Sequence, residues 1–310
     1  MSQKAILFPG QGAQAVGMGK DLAEALPECR ALFDRANAVL GFDLAKLCFE
    51  GPIEELTKSS VTQPAVFVVS MSCHAALAKR RPNLRFAAAA GHSLGEWSAL
   101  CAAGVVSFED AVKVLDARGR FMQEACERNP GAMTAVMGQD AEALRQLSAE
   151  CGIEVANFNT PEQTVLTGRK EGIEKAEQAL KAKGVKKVIR LNVAGAFHSS
   201  LMAPAAEKLA GFLQSIPFSS PSMPVVSNVT GQPHTAPGAI RELMVGQVTS
   251  SVQWVSDVRW MQGQGVKAYV ECGPGKVLTG LVKRIDNTAF LHNILDRSSL
   301  ETAVAALGNG

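Results

Sequence analysis

The stretch Gly91-His92-Ser93-Leu94-Gly95 has the form Gly-x-Ser-x-Gly, with the small-residue run Ala87–Ala90 before it and an amphipathic stretch after it. A strand that reverses sharply into a helix needs glycine on both sides of the turn, and the residue at the apex is pushed out at the carboxyl end of the sheet. Ser93 is therefore a candidate nucleophile. The start of the following helix leaves backbone N–H groups without intrahelical partners, which suits a carbonyl oxygen that becomes an oxyanion. A serine hydroxyl is a weak nucleophile at neutral pH and needs a base beside it. Five histidines are available, at positions 74, 92, 198, 234 and 292. His92 adjoins the serine and should point away from it; His74 falls in a predicted helix; His234 and His292 lie in segments without other polar signals. His198, in NVAGAFHSSLMAP, falls where two regions of different texture meet, a junction that would line a cleft. An acid belongs between serine and histidine in chain order. Asp110, Asp116 and Asp140 satisfy that order, but none has a suitable loop context, which points to a Ser–His dyad oriented by a backbone carbonyl.

Two glycine-rich turns suggest other chemistry and fail on spacing. AILFPGQGAQA, residues 5–15, has the start of a dinucleotide-binding turn, yet that motif requires a second strand ending in an acidic residue about 20 residues on. The corresponding window, PECRALFDRANAVLG, has helical periodicity and puts Glu28 and Asp34 on a helix. The glycines of this loop instead let backbone N–H groups approach the end of a neighbouring strand, where Gln11 is placed to supply a second oxyanion donor. ECGPGKVLTG lacks the phosphate-loop spacing G-x-x-x-x-G-K-[ST] and reads as a strand-to-helix turn.

The elements that would carry these residues alternate. Lys4–Phe8 reads as a strand, Cys29–Leu40 and Gln63–Lys79 as helices, and Arg85–Ala90 as a strand, a pattern of an α/β fold with a mainly parallel sheet. After a break at Asn129-Pro130-Gly131 the order becomes strand Ala132–Met137, helix Ala141–Cys151, strands Ile153–Phe158 and Gln163–Thr167, helix Glu171–Lys183 and strand Lys186–Leu191. That βαββαβ order is the ferredoxin-like pattern. It predicts a small domain over 129–195 inserted into a catalytic domain formed by 1–128 and 196–310. The chain then resumes with a helix over Ser200–Gln214, a strand over Pro224–Asn228, and a last α/β unit from Ser256 through a strand at Ala268–Glu271.

Composition bounds the rest. The 310 residues hold 31 Lys and Arg against 29 Asp and Glu, a net charge of +2, with no basic face of the kind that binds nucleic acid. Seven cysteines stand singly, without metal-ligand spacing, and fit a reducing compartment. Without a signal-like start or an unbroken apolar run of about 18 residues, a cytoplasmic protein off the membrane is expected.

FPGQGAQ, GHSLGE, ARGRFMQ, NFNTPEQTVLTG, GAFHS and ECGPGKVLTGLVKRI together, in this order across the whole chain, resemble the malonyl-CoA:acyl-carrier-protein transacylases. The resemblance implies an α/β-hydrolase-like large domain interrupted by a ferredoxin-like small one. It also implies ping-pong transfer of malonyl from malonyl-CoA to acyl carrier protein, in fatty acid synthesis, with Ser93 acylated and His198 as general base. Gln11 and Leu94 match the positions whose N–H groups form the oxyanion hole. Arg118 matches the arginine that grips the malonyl carboxylate, and Gln247 the residue whose main-chain carbonyl orients the histidine. Phe197 fits the pattern associated with malonyl rather than methylmalonyl units. Arg118, Phe197 and Gln247 form the expected substrate-binding set. Physical chemistry agrees for Arg118, since a guanidinium meets a carboxylate with two parallel charge-assisted bonds that a lysine cannot copy. No metal or redox cofactor is implied, coenzyme A being part of the substrate, and a monomer is expected. Carrier proteins are acidic, so Lys183, Lys186 and Lys187 are candidates for docking. A serine esterase or thioesterase, an acyltransferase serving a polyketide assembly line, and a catalytically silent carrier-binding scaffold are the rival readings.

Overall fold

A computed structural model describes residues 3–308. The chain opens with strand β1 (Gln3–Phe8), followed by helices α1 (Lys20–Ala25), α2 (Pro27–Leu40), α3 (Leu44–Glu50), α4 (Ile53–Leu56) and α5 (Ser59–Arg80). Then come β2 (Ala88–Gly91), α6 (Leu94–Ala102) and α7 (Phe108–Arg128). A second group follows: β3 (Gly131–Met137), α8 (Ala141–Cys151), β4 (Glu154–Thr160), β5 (Gln163–Arg169), α9 (Lys170–Ala182) and β6 (Val188–Arg190). The remainder is α10 (Ala203–Leu213), α11 (Pro237–Gly246), α12 (Trp254–Gly263), β7 (Val266–Cys272), α13 (Val277–Ile285), β8 (Phe290–Ile294) and α14 (Arg297–Ala306).

The first sheet has the order β2-β1-β7-β8, and all its pairings are parallel, with Phe8 opposite Gly91 and Leu7 opposite Glu271. Helices cover both faces, so its central strand β1 ends in an unbroken apolar run; Ala5, Ile6, Leu7 and Phe8 are all fully buried. Alternate residues feed two cores: Ile6 and Phe8 one, Ala5 and Leu7 the other. Helix α5 is long and apolar enough to cross a membrane, but here it is mostly buried, packed against α2, α6 and α7.

The second sheet has the order β4-β5-β3-β6, is antiparallel throughout, and draws all its strands from residues 131–190. Its faces also divide by alternation. Ala132 and Val136 pack with Leu144, Leu147, Ile173 and Leu180 of α8 and α9, while Met133 and Ala135 join the main core.

Several elements depart from the sequence reading. Pro224–Asn228 makes only isolated bridges, Ala89 with Val225 and Val226 with Pro233. Pro224, and Pro233 across the bridge from Val226, lack N–H groups, and Asn228 spends its side chain on the backbone of the neighbouring turn, so no ladder continues. The strand expected from Arg85 begins only at Ala88; ahead of it the Arg85 guanidinium donates to the carbonyls of Pro82 and Leu84. The helix expected from Ser200 opens with a 3-10 turn, Ser200–Met202, before α10, whose Pro204 suits a first turn. Helix α7, 21 residues long and carrying Arg118, is not delimited in the sequence reading, although Ser107 caps its start and the break at Asn129-Pro130 follows its end.

Candidate active site

Ser93 sits between β2 and α6 with φ 52° and ψ −108°. The turn is tight enough that a Cβ on Gly91 would stand 1.9 Å from the Gly95 carbonyl oxygen, and one on Gly95 would stand 2.1 Å from that of Phe8. The two glycines therefore fix both the reversal and its close seat against the end of β1. The Ser93 N–H donates to Asn228 Oδ1 at 2.7 Å. Among the described residues, neither the Leu94 N–H nor the Gln11 N–H donates to a protein acceptor. Both residues line the cleft in front of Ser93.

His198 lies on the segment between β6 and the 3-10 turn and also holds a positive φ, 56°. Its Nε2 is 2.8 Å from Ser93 Oγ. Its Nδ1 faces two carbonyl oxygens, Gln247 O at 2.9 Å and Ser250 O at 3.1 Å. Carbonyls only accept, so Nδ1 carries the hydrogen and Nε2 presents its lone pair to the Ser93 hydroxyl. Burial, then the nearby Arg118 charge, pull the imidazole pKa down to about 3, and the Gln247 carbonyl resists only in part. His198 is therefore neutral at neutral pH.

Arg118 reaches the same point from α7. Gly119 lets that helix approach the start of α5, since a Cβ there would lie 2.4 Å from the Ser59 carbonyl oxygen. The guanidinium is 1% exposed. One terminal nitrogen donates to Gln63 Oε1 at 2.7 Å, and the other to Ser93 Oγ at 3.1 Å and Gln247 Oε1 at 2.9 Å. Nε is buried without a partner. Burial lowers its pKa from the ordinary arginine value to about 10, so it stays charged.

The cleft in front of these groups encloses about 420 Å³. Phe197, Met133 and Asn157 form the wall on the side of the second sheet. Gln247 is not in the lining; it lies fully buried behind Ser93, where its side-chain Nε2 donates to Ser93 O at 3.0 Å and to Glu96 Oε2 at 2.6 Å.

The other candidates are engaged elsewhere. His92 turns away to Asn159 Oδ1 at 3.0 Å. Asp110 pairs with Lys113 near the start of α7, Asp116 with Arg120, and Asp140 caps α8. His74 meets the edge of Phe8. His234 overturns its plain sequence context, because its Nε2 is 2.7 Å from Glu96 Oε1 with both side chains fully buried. Sequence reasoning missed Gln63, Asn228 and Glu96. For Glu96 a signal was present: a lone carboxylate in the otherwise apolar run LGEWSALCAA.

Residues 6–289 match the acyl transferase domain family. The chain is 43% identical over 308 residues to the malonyl CoA-acyl carrier protein transacylase of Escherichia coli K12, covering 98% of this chain and 99% of that protein. The chain belongs to the malonyl-CoA:acyl-carrier-protein transacylase family. The Bacillus subtilis 168 member is 42% identical over 313 residues, covering 99% of this chain and 98% of its own. Among solved structures, an acyl carrier protein S-malonyltransferase of Vibrio cholerae superposes with a TM-score of 0.94 at 40% identity, covering 97% of this chain and all of that one. A malonyl-transacylase solved in complex with its type II polyketide acyl-carrier protein gives 0.95 at 41% identity, covering 98% of this chain and all of that one. Similarity to this acyl transferase family therefore runs the length of the fold and includes both sheets.

Proposed function

We propose that this acyltransferase moves the malonyl group of malonyl-CoA to the phosphopantetheine thiol of acyl carrier protein, supplying fatty acid synthesis. The observation that carries the reading is the 3.1 Å contact between a buried Arg118 nitrogen and Ser93 Oγ. In a malonyl thioester only one methylene separates the free carboxylate from the reacting carbonyl. The cation that holds the carboxylate must therefore sit within a few bond lengths of the nucleophile, where an esterase for neutral acyl groups has no use for it.

The reaction runs in two halves. His198 Nε2 accepts the Ser93 proton as Oγ attacks the thioester carbonyl. The Gln11 and Leu94 N–H groups hold the oxyanion, each contributing about 2.7–4 kcal/mol by analogy with donors of this kind. Collapse breaks the C–S bond, and His198 returns the proton to the coenzyme A sulfur. The carrier thiol then attacks the malonyl-serine ester with His198 as base, and Ser93 recovers its proton. The Gln247 and Ser250 carbonyls hold the imidazole in place of a carboxylate.

Phe197, 7% exposed beside His198, fills the space a branching methyl would need, a discrimination of roughly 1–3 kcal/mol. The βαββαβ order and the sheet order β4-β5-β3-β6 support a ferredoxin-like unit over 129–195, set into a hydrolase-like domain formed by 1–128 and 196–310. Lys183, Lys186 and Lys187 are exposed on that unit and suit an acidic carrier. The enzyme is read as a soluble, cytoplasmic monomer that takes coenzyme A only as part of its substrate.

The test is intact-mass spectrometry after brief incubation with malonyl-CoA or acetyl-CoA. A malonyl adduct on wild type that is absent from Ser93→Ala and weak with acetyl-CoA is expected. Steady release of free thiol without an adduct would mean a thioesterase, and neither adduct nor thiol would mean a silent scaffold.

A further inference from the structure

We infer that Glu96 is the counter-ion of Arg118 across the Gln247 amide, and that this spaced ion pair positions the guanidinium for a substrate carboxylate. The inference rests on the malonyl-transfer reading and adds a positioning residue that lies outside the cleft.

Every acceptor in contact with Arg118 is uncharged: the amide oxygens of Gln63 and Gln247 and the hydroxyl of Ser93. A cation buried in this way needs a compensating charge. Glu96, itself fully buried on the first turn of α6, supplies it through one intervening group. Gln247 Nε2 donates to Glu96 Oε2 at 2.6 Å while Gln247 Oε1 accepts from Arg118 at 2.9 Å. The amide dipole thus points its oxygen at the cation and its hydrogens at the anion. The orientation is forced, because the carboxylate and the Ser93 carbonyl, which also takes an Nε2 hydrogen at 3.0 Å, can only accept. Glu96 is held from behind by His234 Nε2 at 2.7 Å and the Asn228 N–H at 3.2 Å.

The charges around the cluster assign the role to Glu96. His198 faces Arg118 from the cleft side, and burial with the Arg118 charge lowers its pKa to about 3, so it adds no competing cation. Asp257, beyond Asn228, is pushed well above the carboxylate range by burial and by Glu96, and one of its oxygens has no partner. Glu96, one amide away from the guanidinium, is the negative charge that resists the loss of the Arg118 proton. The spacer matters as much as the charge. A glutamate in direct contact would occupy the guanidinium fork, whereas the amide leaves Nε without a protein partner.

Glu96→Gln removes the charge and keeps the shape, with an acceptor still available to Gln247 and an N–H that can face a His234 ring nitrogen. The expected result is a fall of about ten-fold or more in kcat/KM for malonyl-serine formation, with acylation by acetyl-CoA and labelling by a neutral fluorophosphonate changed by less than about three-fold. Arg118 binds a carboxylate only below its pKa, and loss of Glu96 lowers that pKa. The alkaline limb of the malonyl profile should therefore move to lower pH, and Glu96→Asp, which retains the charge, should restore most of the malonyl preference. If Glu96→Gln matches wild type, or loses all three reactions in parallel with the alkaline limb unmoved, the inference is overturned. If wild type itself forms no malonyl-serine, the transfer reading fails first. Should Glu96→Gln not fold, Gln247→Met removes the spacer, and an unaltered malonyl preference in that variant would equally overturn the inference.

Discussion

His198 Nε2 stands 2.8 Å from Ser93 Oγ, and these two residues are also the only non-glycines with positive φ among the described residues. An L-residue in that region is strained by about 1–2 kcal/mol. The strain sits where two separate chain segments must aim their side chains at one point. Ser93→Gly and Ser93→Ala both lose the hydroxyl, yet only alanine keeps the Cβ that makes φ 52° costly. Ser93→Gly should melt a few degrees above Ser93→Ala, by about 1 kcal/mol, with both inactive. Equal melting temperatures would show that the apex carries no such strain.

The depressed pKa of His198 makes a pH prediction with a definite sign. An ordinary histidine, near pH 6.5, would be half protonated there and would lose its function as a base below it. With its pKa lowered to about 3, His198 remains neutral, so malonyl-serine formation should hold its rate from about pH 8 down to about pH 5. Stability behaves differently. The unfolded chain takes up a proton at this histidine near pH 6.5 and the native protein does not, so this group's contribution to stability falls as pH drops from there toward 3. Stopped-flow acylation and urea unfolding over the same pH range separate the two effects; a rate halving near pH 6.5 would contradict the lowered pKa.

The elbow was legible because its requirements are local: glycine, an exposed apex, and a strand and helix on either side. The parallel sheet and the βαββαβ segment were legible for the same reason, through period and order. What sequence could not supply was the layer behind Ser93. Glu96, the Asn228–His234 hairpin and the Gln247 side chain meet there from three separate segments, and a buried polar residue gains its meaning only from partners that the fold brings in. The Pro224–Asn228 segment failed as a strand because Asn228 is used as a bracket, tying the Gly91 carbonyl and the Ser93 N–H. A strand pattern gives no warning of that.

Gly95 supplies a test of the close approach that seats the elbow. A Cβ at Gly95 would meet backbone oxygens, Phe8 O at 2.1 Å and Pro9 O at 2.7 Å, which cannot swing aside like a flexible side chain. At Gly104, with φ 75°, an added methyl would find nothing within 4 Å, so alanine there costs only backbone strain. Gly104→Ala should lose about 1 kcal/mol and keep its activity, while Gly95→Ala should lose about 3 kcal/mol or more, or fail to fold. Chemical denaturation of the two variants side by side decides the matter, and similar midpoints would mean that β1 yields to the turn more readily than its packing indicates.

Arg118→Lys asks whether charge alone selects the substrate. Lysine keeps a positive charge in reach of the cleft but cannot hold Gln63 Oε1, Gln247 Oε1 and Ser93 Oγ from a planar fork, as the guanidinium does. It also loses its proton far more readily when buried, so part of the population would be neutral where Arg118 at about 10 is charged. Each lost charge-assisted bond costs about 1.5–3 kcal/mol, so kcat/KM for malonyl-CoA should fall about a hundred-fold or more. Acetyl-CoA offers no carboxylate, and its slow acylation should change by less than about ten-fold, so the preference collapses through the malonyl arm alone. Paired acylation kinetics with the two thioesters read this directly. Retention of the preference by the lysine variant would show that the site recognises charge without the fork.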